Sequence, residues 1–254
     1  MLEQFLSLNL FAFLLIFARV GTAFFLFPGF QGKQVTVRIR LSIALAITFL
    51  LTPLLIDILP KMPGSPWVLF ALMIGEVLSG AILGTTVLII FSTLRVAGTV
   101  ISFVSAMANA LVFDPISQAQ SAIVSGFLST VAILLLFVTD LHHLLIQSLI
   151  DSYSLFQPGI APDFGDTAEL IVRHVSATFK LGVQLAAPFI VVSLVYNLAL
   201  GLMARLAPQI PIFFVALPFQ LVVSTVLLMI VAPSILLVFM AHARDHLLPF
   251  LSTN

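Results

Sequence analysis

The side chains able to do chemistry are few. His242 and His246 lie four apart and share a helical face, a spacing that suits metal ligation. They also flank Arg244 at the end of an apolar run, where a helix dipole favours cations. No third ligand accompanies them, so no metal and no cofactor is expected. His142 and His143 are adjacent and point about 100° apart on a helix. Asp140 can pair with His143 at i+3, but no serine aligns with the two to make a hydrolytic centre. Arg19 and Glu76 stand inside otherwise apolar stretches, as does Asn197. The densest polar group is 107–121, MANALVFDPISQAQS, with Asn109, Asp114, Ser117, Gln118, Gln120 and Ser121 in apolar surroundings. There is no Walker A sequence, no G-x-G-x-x-G and no HExxH. The chain is not expected to be an enzyme, and energy for any transport must come from a partner or an ion gradient.

Composition says where these residues must sit. Of 254 residues, 61% are hydrophobic and only 8% charged, against about 25% charged in a soluble domain. Such a chain is solvated by lipid or by other apolar protein, and it has no room for a sizeable soluble catalytic domain. Ten basic and ten acidic residues cancel, so no basic footprint points to nucleic acid. With no cysteine, disulfides, thiolate metal sites and cysteine nucleophiles are excluded. The opening 27 residues carry Glu3 but no basic n-region, so they are expected to be a retained helix rather than a secretory signal.

Runs free of Asp, Glu, Lys and Arg define the elements. Cut at prolines and charges, they predict helices over 5–27, 38–59, 67–94, 115–150, 170–204 and 212–243. No strand alternation is present, and the fold class expected is all-α, a multi-helix integral membrane protein. Lys33, Arg38 and Arg40 fall between the first two helices, Arg95 after the third and Arg205 between the last two. The segment 151–169 has Asp151, Asp163, Asp166 and Glu169 with no Lys or Arg. Basic connections favour the cytoplasm, which puts both termini and 151–169 outside. The parity closes only if 96–113 does not cross completely, making 96–118 a re-entrant candidate. Helices 115–150 and 170–204 would span about 54 and 52 Å against a hydrocarbon core of about 30 Å. Kinks at Pro188, Pro218 or Pro233 can absorb some excess; otherwise the helices project into a protein assembly.

Small residues point the same way. Ala71, Gly75 and Ser79 form one ridge at spacing four, Gly80 and Gly84 a GxxxG beside it, and Gly98, Ser102, Ala106 and Ala110 a third. Such ridges let helix backbones approach where lipid offers no hydrophobic drive. Arg19 and Glu76 each cost about 2.5–3.5 kcal/mol at a bilayer centre. Structural pairing or snorkelling is favoured for them over a proton relay, and an interhelical hydrogen bond for Asn197. In 107–121, Asp114–Pro115 disfavours helix. Broken polar backbone at membrane depth is tolerated only in protein or beside water, so the stretch reads either as a gate in a conduit or as a short surface loop.

Several segments resemble the FliR family of flagellar biosynthesis proteins. They are ARVGTAFFLFPGFQGKQVTVRIRLSIALAITFLLTP (18–53), GEVLSGAILGTTVLIIFSTLRVAGTVIS (75–102), LVFDPISQAQS (111–121) and LGLMARLAPQIPIFFVALPFQL (200–221). The set follows one order along nearly the whole chain, and virulence-type relatives (the SctT or SpaR subunits) share the pattern. Pro211, Ala216 and Asn197 depart from it, where Asn, Gly and an acidic residue are expected. The resemblance implies a core subunit of the type III export gate in the bacterial inner membrane, at the flagellar basal body. It implies assembly with P-type and Q-type subunits (FliP and FliQ), contact with the B-type switch protein FlhB, and passage of unfolded export substrates. Residues 1–165 would be P-type-like and 166–254 a Q-type-like helical hairpin. Many apparent spans would be lifted out of the lipid in the assembly.

The family's plug carries over onto 105–122. Met107, Leu111 and Phe113 would close it with apolar surface, while Asn109, Asp114, Gln118 and Gln120 would meet neighbours or water beside Pro115. Arg19, Glu76, Arg95, Asn197 and Arg205 would be buried-charge or subunit-contact residues. Gly75, Ser79, Gly80, Gly84, Gly98 and Ser102 would pack helices. Two other readings stay open: a virulence-type gate subunit, and a small-solute transporter using Arg19, Glu76 and Asp114, for which a second broken helix is missing.

Overall fold

A computed structural model describes residues 2–31, 35–107, 123–160, 162–206, 209 and 212–247, with side chains described from Leu10 onward and, in the last helix, from Ala216. The described residues form seven α-helices and no strand. They are α1 (Leu2–Leu26), α2 (Val37–Leu55), α3 (Pro66–Val104), α4 (Ile123–Val138), α5 (Leu141–Leu155), α6 (Phe164–Leu206) and α7 (Ile212–Leu247). Four are long and apolar enough to cross a membrane, or five if α4 and α5 make one bent span. The protein is a multi-pass membrane protein of all-α class.

Three elements differ from the sequence reading. Helix α3 does not stop at residue 94 but runs on to Val104. Arg95 is exposed on its surface, and an exposed charge can sit on a helix without ending it. Residues 96–104 of the re-entrant candidate are therefore the last turns of α3, and 108–118 lie outside the described residues. The helix expected over 115–150 is broken: α4 and α5 meet at Thr139–Asp140 and bend by 77°. Asp140 takes a left-handed conformation at φ 58°, a region that Asp enters more readily than most residues. Helix α6 begins at Phe164, earlier than expected, because Asp163 caps it: its Oδ1 accepts the Gly165 N–H at 2.7 Å.

The chain divides into two compact units, each discontinuous in sequence. One holds 1–90, 136–174 and 244–254; the other holds 91–135 and 175–243. These units cut across the 165/166 division expected from the resemblance, which concerns kinship of segments rather than compactness. In the first unit α1 is the buried centre: Leu15, Ile16, Val20, Ala23 and Phe24 are nearly inaccessible. Phe24 packs edge-on to Phe30, and Phe30 to Phe137. In the second unit Leu94, Ala97 and Ile101 of α3, Leu128 of α4, Ala186 and Phe189 of α6 and Phe239 of α7 are buried. There Phe91 meets Phe239 edge-on. Tyr196 of α6 donates to the Ala216 carbonyl at 2.5 Å and lies parallel to Phe219, tying α6 to α7 as a hairpin.

Candidate functional site

The strongest polar arrangement lies in the first unit, around Arg19. Its Nε donates to Glu76 Oε2 at 2.6 Å, Nη1 to Ser152 Oγ at 3.2 Å and Nη2 to the Phe156 carbonyl at 2.9 Å. The guanidinium carbon lies 3.9 Å from the centre of the Tyr153 ring. Arg19 and Glu76 side chains are 1% and 2% exposed. One cation thus joins α1, α3 and the end of α5. Each of its three nitrogens finds an acceptor and one face finds an aromatic, which is what a charge removed from water requires. The Tyr153 hydroxyl is buried and has no hydrogen-bond partner among the described residues.

Backbone packing makes this geometry possible. Gly80 sits one turn beyond Glu76, and a Cβ there would overlap the Arg19 carbonyl oxygen. At Gly84 a Cβ would collide with Leu26 Cβ at 2.6 Å. The GxxxG therefore seats α1 directly on α3, and that closeness puts Glu76 within reach of Arg19. In the second unit, a Cβ at Gly98 would overlap the Ser125 backbone of α4. At Gly182 of α6 a Cβ would lie 2.8 Å from Val96 Cγ1 of α3, also too close. Ser79 and Ser102 are buried and donate to the carbonyls one turn back, of Gly75 and Gly98. Gly75 differs from the others: a Cβ there would meet no atom within 4 Å beyond its own helix.

The approach to the polar stretch is described only as far as Met107. Ser105 is buried, Ala106 is left-handed at φ 58° and Met107 is half-buried. Gln220 of α7 donates to the Val104 carbonyl at 3.0 Å, satisfying a group at the end of α3 that has no partner within the helix. Asn109, Leu111, Phe113, Asp114, Pro115, Gln118 and Gln120 lie outside the described residues.

The remaining expected residues are on the chain's own surface. Arg95, Asn197 and Arg205 are exposed, and Asn197 donates to Ser193 Oγ within α6 at 3.2 Å. Asp140 and His143 are paired at 3.8 Å and well exposed. With His142 they bring three ligand atoms within 4.8 Å of one another. The two imidazoles lie tilted to each other by 36° with centroids 4.1 Å apart, closer than adjacent positions on a helix suggest. His246 meets His174 edge-on at 5.7 Å.

Ser152, Tyr153, the Phe156 carbonyl, Gly182 and Gln220 are contacts of these residues that sequence reasoning missed. Ser148 and Ser152 did carry a signal, since small polar groups at spacing four share one helical face.

Comparison with known proteins follows the same span. The family model described as bacterial export proteins, family 1, matches residues 10–245. The flagellar biosynthetic protein FliR of Caulobacter vibrioides is 38% identical over 231 residues, covering 91% of this chain and 92% of that one. The FliR of Escherichia coli is 32% identical over 238 residues, 92% of this chain and 88% of that one. The FliR of Bacillus subtilis is 31% identical over 226 residues, 86% and 85%.

Proposed function

Since the chain belongs to family 1 of the bacterial export proteins, we propose that it is a non-enzymatic core subunit of the flagellar type III export gate. Its partners are the P-type and Q-type subunits and the B-type switch protein. Together they form a channel for unfolded export substrates, with residues 1–165 P-type-like and 166–254 Q-type-like. The flagellar branch is favoured over the virulence one because the relatives above are all named as flagellar proteins.

The observation that carries the reading is uncovered apolar surface on helices too long for a bilayer. Of the most apolar part of α6 only 17% is buried, and of α7 only 11%, against 50% for α3. At 1.5 Å per residue α6 and α7 are about 65 and 54 Å long, well beyond the roughly 30 Å that lipid can cover. Sister subunits presenting similar helices would cover the rest.

Within that assembly, residues 105–122 act as the plug, with Met107, Leu111 and Phe113 closing it and Asn109, Asp114, Gln118 and Gln120 meeting neighbours or water. Co-expression with the P- and Q-type subunits and native mass spectrometry tests the assembly: a stable complex is expected, and a chain that stays alone in detergent overturns it. Deletion of 110–114 tests the plug. Greater small-ion leakage through the assembled complex is expected; unchanged leakage together with unchanged export overturns it.

A further inference from the structure

We infer that the start of α2 binds the phosphate group of an anionic phospholipid, recognised by Arg40 with Arg38 beside it. This stands apart from the export reading and needs no partner subunit.

The starting observation is an unanswered charge. Arg40 is only 9% exposed, and among the described residues its buried Nε has no hydrogen-bond partner. Its guanidinium carbon lies 5.1 Å from the centre of the Phe25 ring, but among the described residues no carboxylate pairs with it. Arg19, the other buried arginine, has Glu76, a serine and a carbonyl. A guanidinium keeps its proton and presents its donors as a planar fork. A buried one without an anion is costly, and the fork matches phosphate in a bidentate way.

Placement selects the ligand. Helix α2 has 19 residues, about 28 Å at 1.5 Å per residue, close to the roughly 30 Å hydrocarbon thickness. Where α2 crosses the bilayer, as in the chain before it joins partner subunits, a helix of this length has its ends at the two headgroup layers. Arg40 is three residues inside the first end, within one turn of it. Arg38 is exposed there, and the helix start adds its own positive dipole. Val37, Ile39 and Leu41 around them are 73%, 52% and 48% exposed. Free phosphate would gain nothing from that apolar collar, whereas acyl chains would cover it. The combination of fork, dipole and collar fits a lipid headgroup with its chains attached.

The test uses the full chain in a neutral detergent. Binding of phosphatidylglycerol, phosphatidylcholine and inorganic phosphate is followed by native mass spectrometry and thermal shift. Phosphatidylglycerol is expected to bind in preference to phosphatidylcholine, and Arg40→Gln to weaken it about tenfold. Arg40→Lys should fall between, keeping the charge but losing the fork. Arg173→Gln, at an exposed arginine paired with Glu169, should leave binding within about twofold. Should Arg40→Gln fail to fold, Arg38→Gln is read instead, with a loss of about threefold or more expected.

No preference for the anionic lipid, or unchanged binding in a folded Arg40→Gln or the substitute Arg38→Gln, overturns the proposal. So does inorganic phosphate stabilising as well as the lipid, which marks a free-anion site. Retained lipid binding with lost co-assembly in Arg40→Gln would assign the arginine to a partner's carboxylate and overturn the lipid site.

Discussion

Arg19 is held so completely that its partners differ sharply in what their loss should do. Removing Glu76 strands a buried guanidinium, and removing Arg19 strands a carboxylate that is 2% exposed. Each single alanine substitution is expected to cost about 3–5 kcal/mol in a detergent unfolding measurement. The Arg19→Ala/Glu76→Ala pair should cost less than the sum, because no lone charge remains. Equal, additive losses would mean that the two do not interact energetically. Tyr153 offers the opposite expectation. Its hydroxyl has no partner among the described residues while its ring faces Arg19, so Tyr153→Phe should be neutral or slightly stabilising, within about 0.5 kcal/mol. A loss above about 1 kcal/mol in the same unfolding measurement would mean that the hydroxyl has an unseen acceptor.

At the scale of the helix, close approach separates glycines that look alike in sequence. Gly80 faces the Arg19 backbone, and Gly75 faces open space. Gly80→Ala is therefore expected to destabilise by about 1–3 kcal/mol, through overpacking, whereas Gly75→Ala should be neutral or gain up to about 1 kcal/mol from helix propensity. Melting temperatures of the two variants, compared side by side, decide the matter; equal behaviour would sink the seam between α1 and α3. The positions of the helices were legible because charge-free runs are long and charges rare. Their ends were less so. Arg95 looked like a stop but is an exposed residue on a continuing helix. The Thr139–Asp140 break carried neither glycine nor proline to announce it. The partners of Arg19 were hidden for another reason: Glu76 lies 57 residues away and Ser152 lies 133 away, and periodicity reads only neighbours within a few turns.

For the whole molecule, the decisive question is how many times the chain crosses the bilayer. Asp140 and His143 side chains are 76% and 69% exposed at the bend between α4 and α5. An acidic group facing lipid at a bilayer centre costs about 2.5–3.5 kcal/mol, so the bend belongs in water or at a headgroup layer rather than in the hydrocarbon. The chain has no cysteine, which makes a single Asp140→Cys an unambiguous reporter. It is expected to react with a water-soluble maleimide as readily as a Lys61→Cys control in the connection between α2 and α3. Protection of Cys at 140 with reaction at 61 would place the bend inside the membrane and make α4 and α5 one span.

The reach of Arg19 also sets an order of events during biogenesis. Its acidic counterpart emerges 57 residues later, and the serine that completes the cluster 133 residues later. At about 5–20 residues per second, the ribosome leaves this cation without its carboxylate for roughly 3–11 s and without the serine for roughly 7–27 s. Until then the charge must be met by water or headgroups, so the final seating of the first helix is a late step of membrane insertion rather than the opening one.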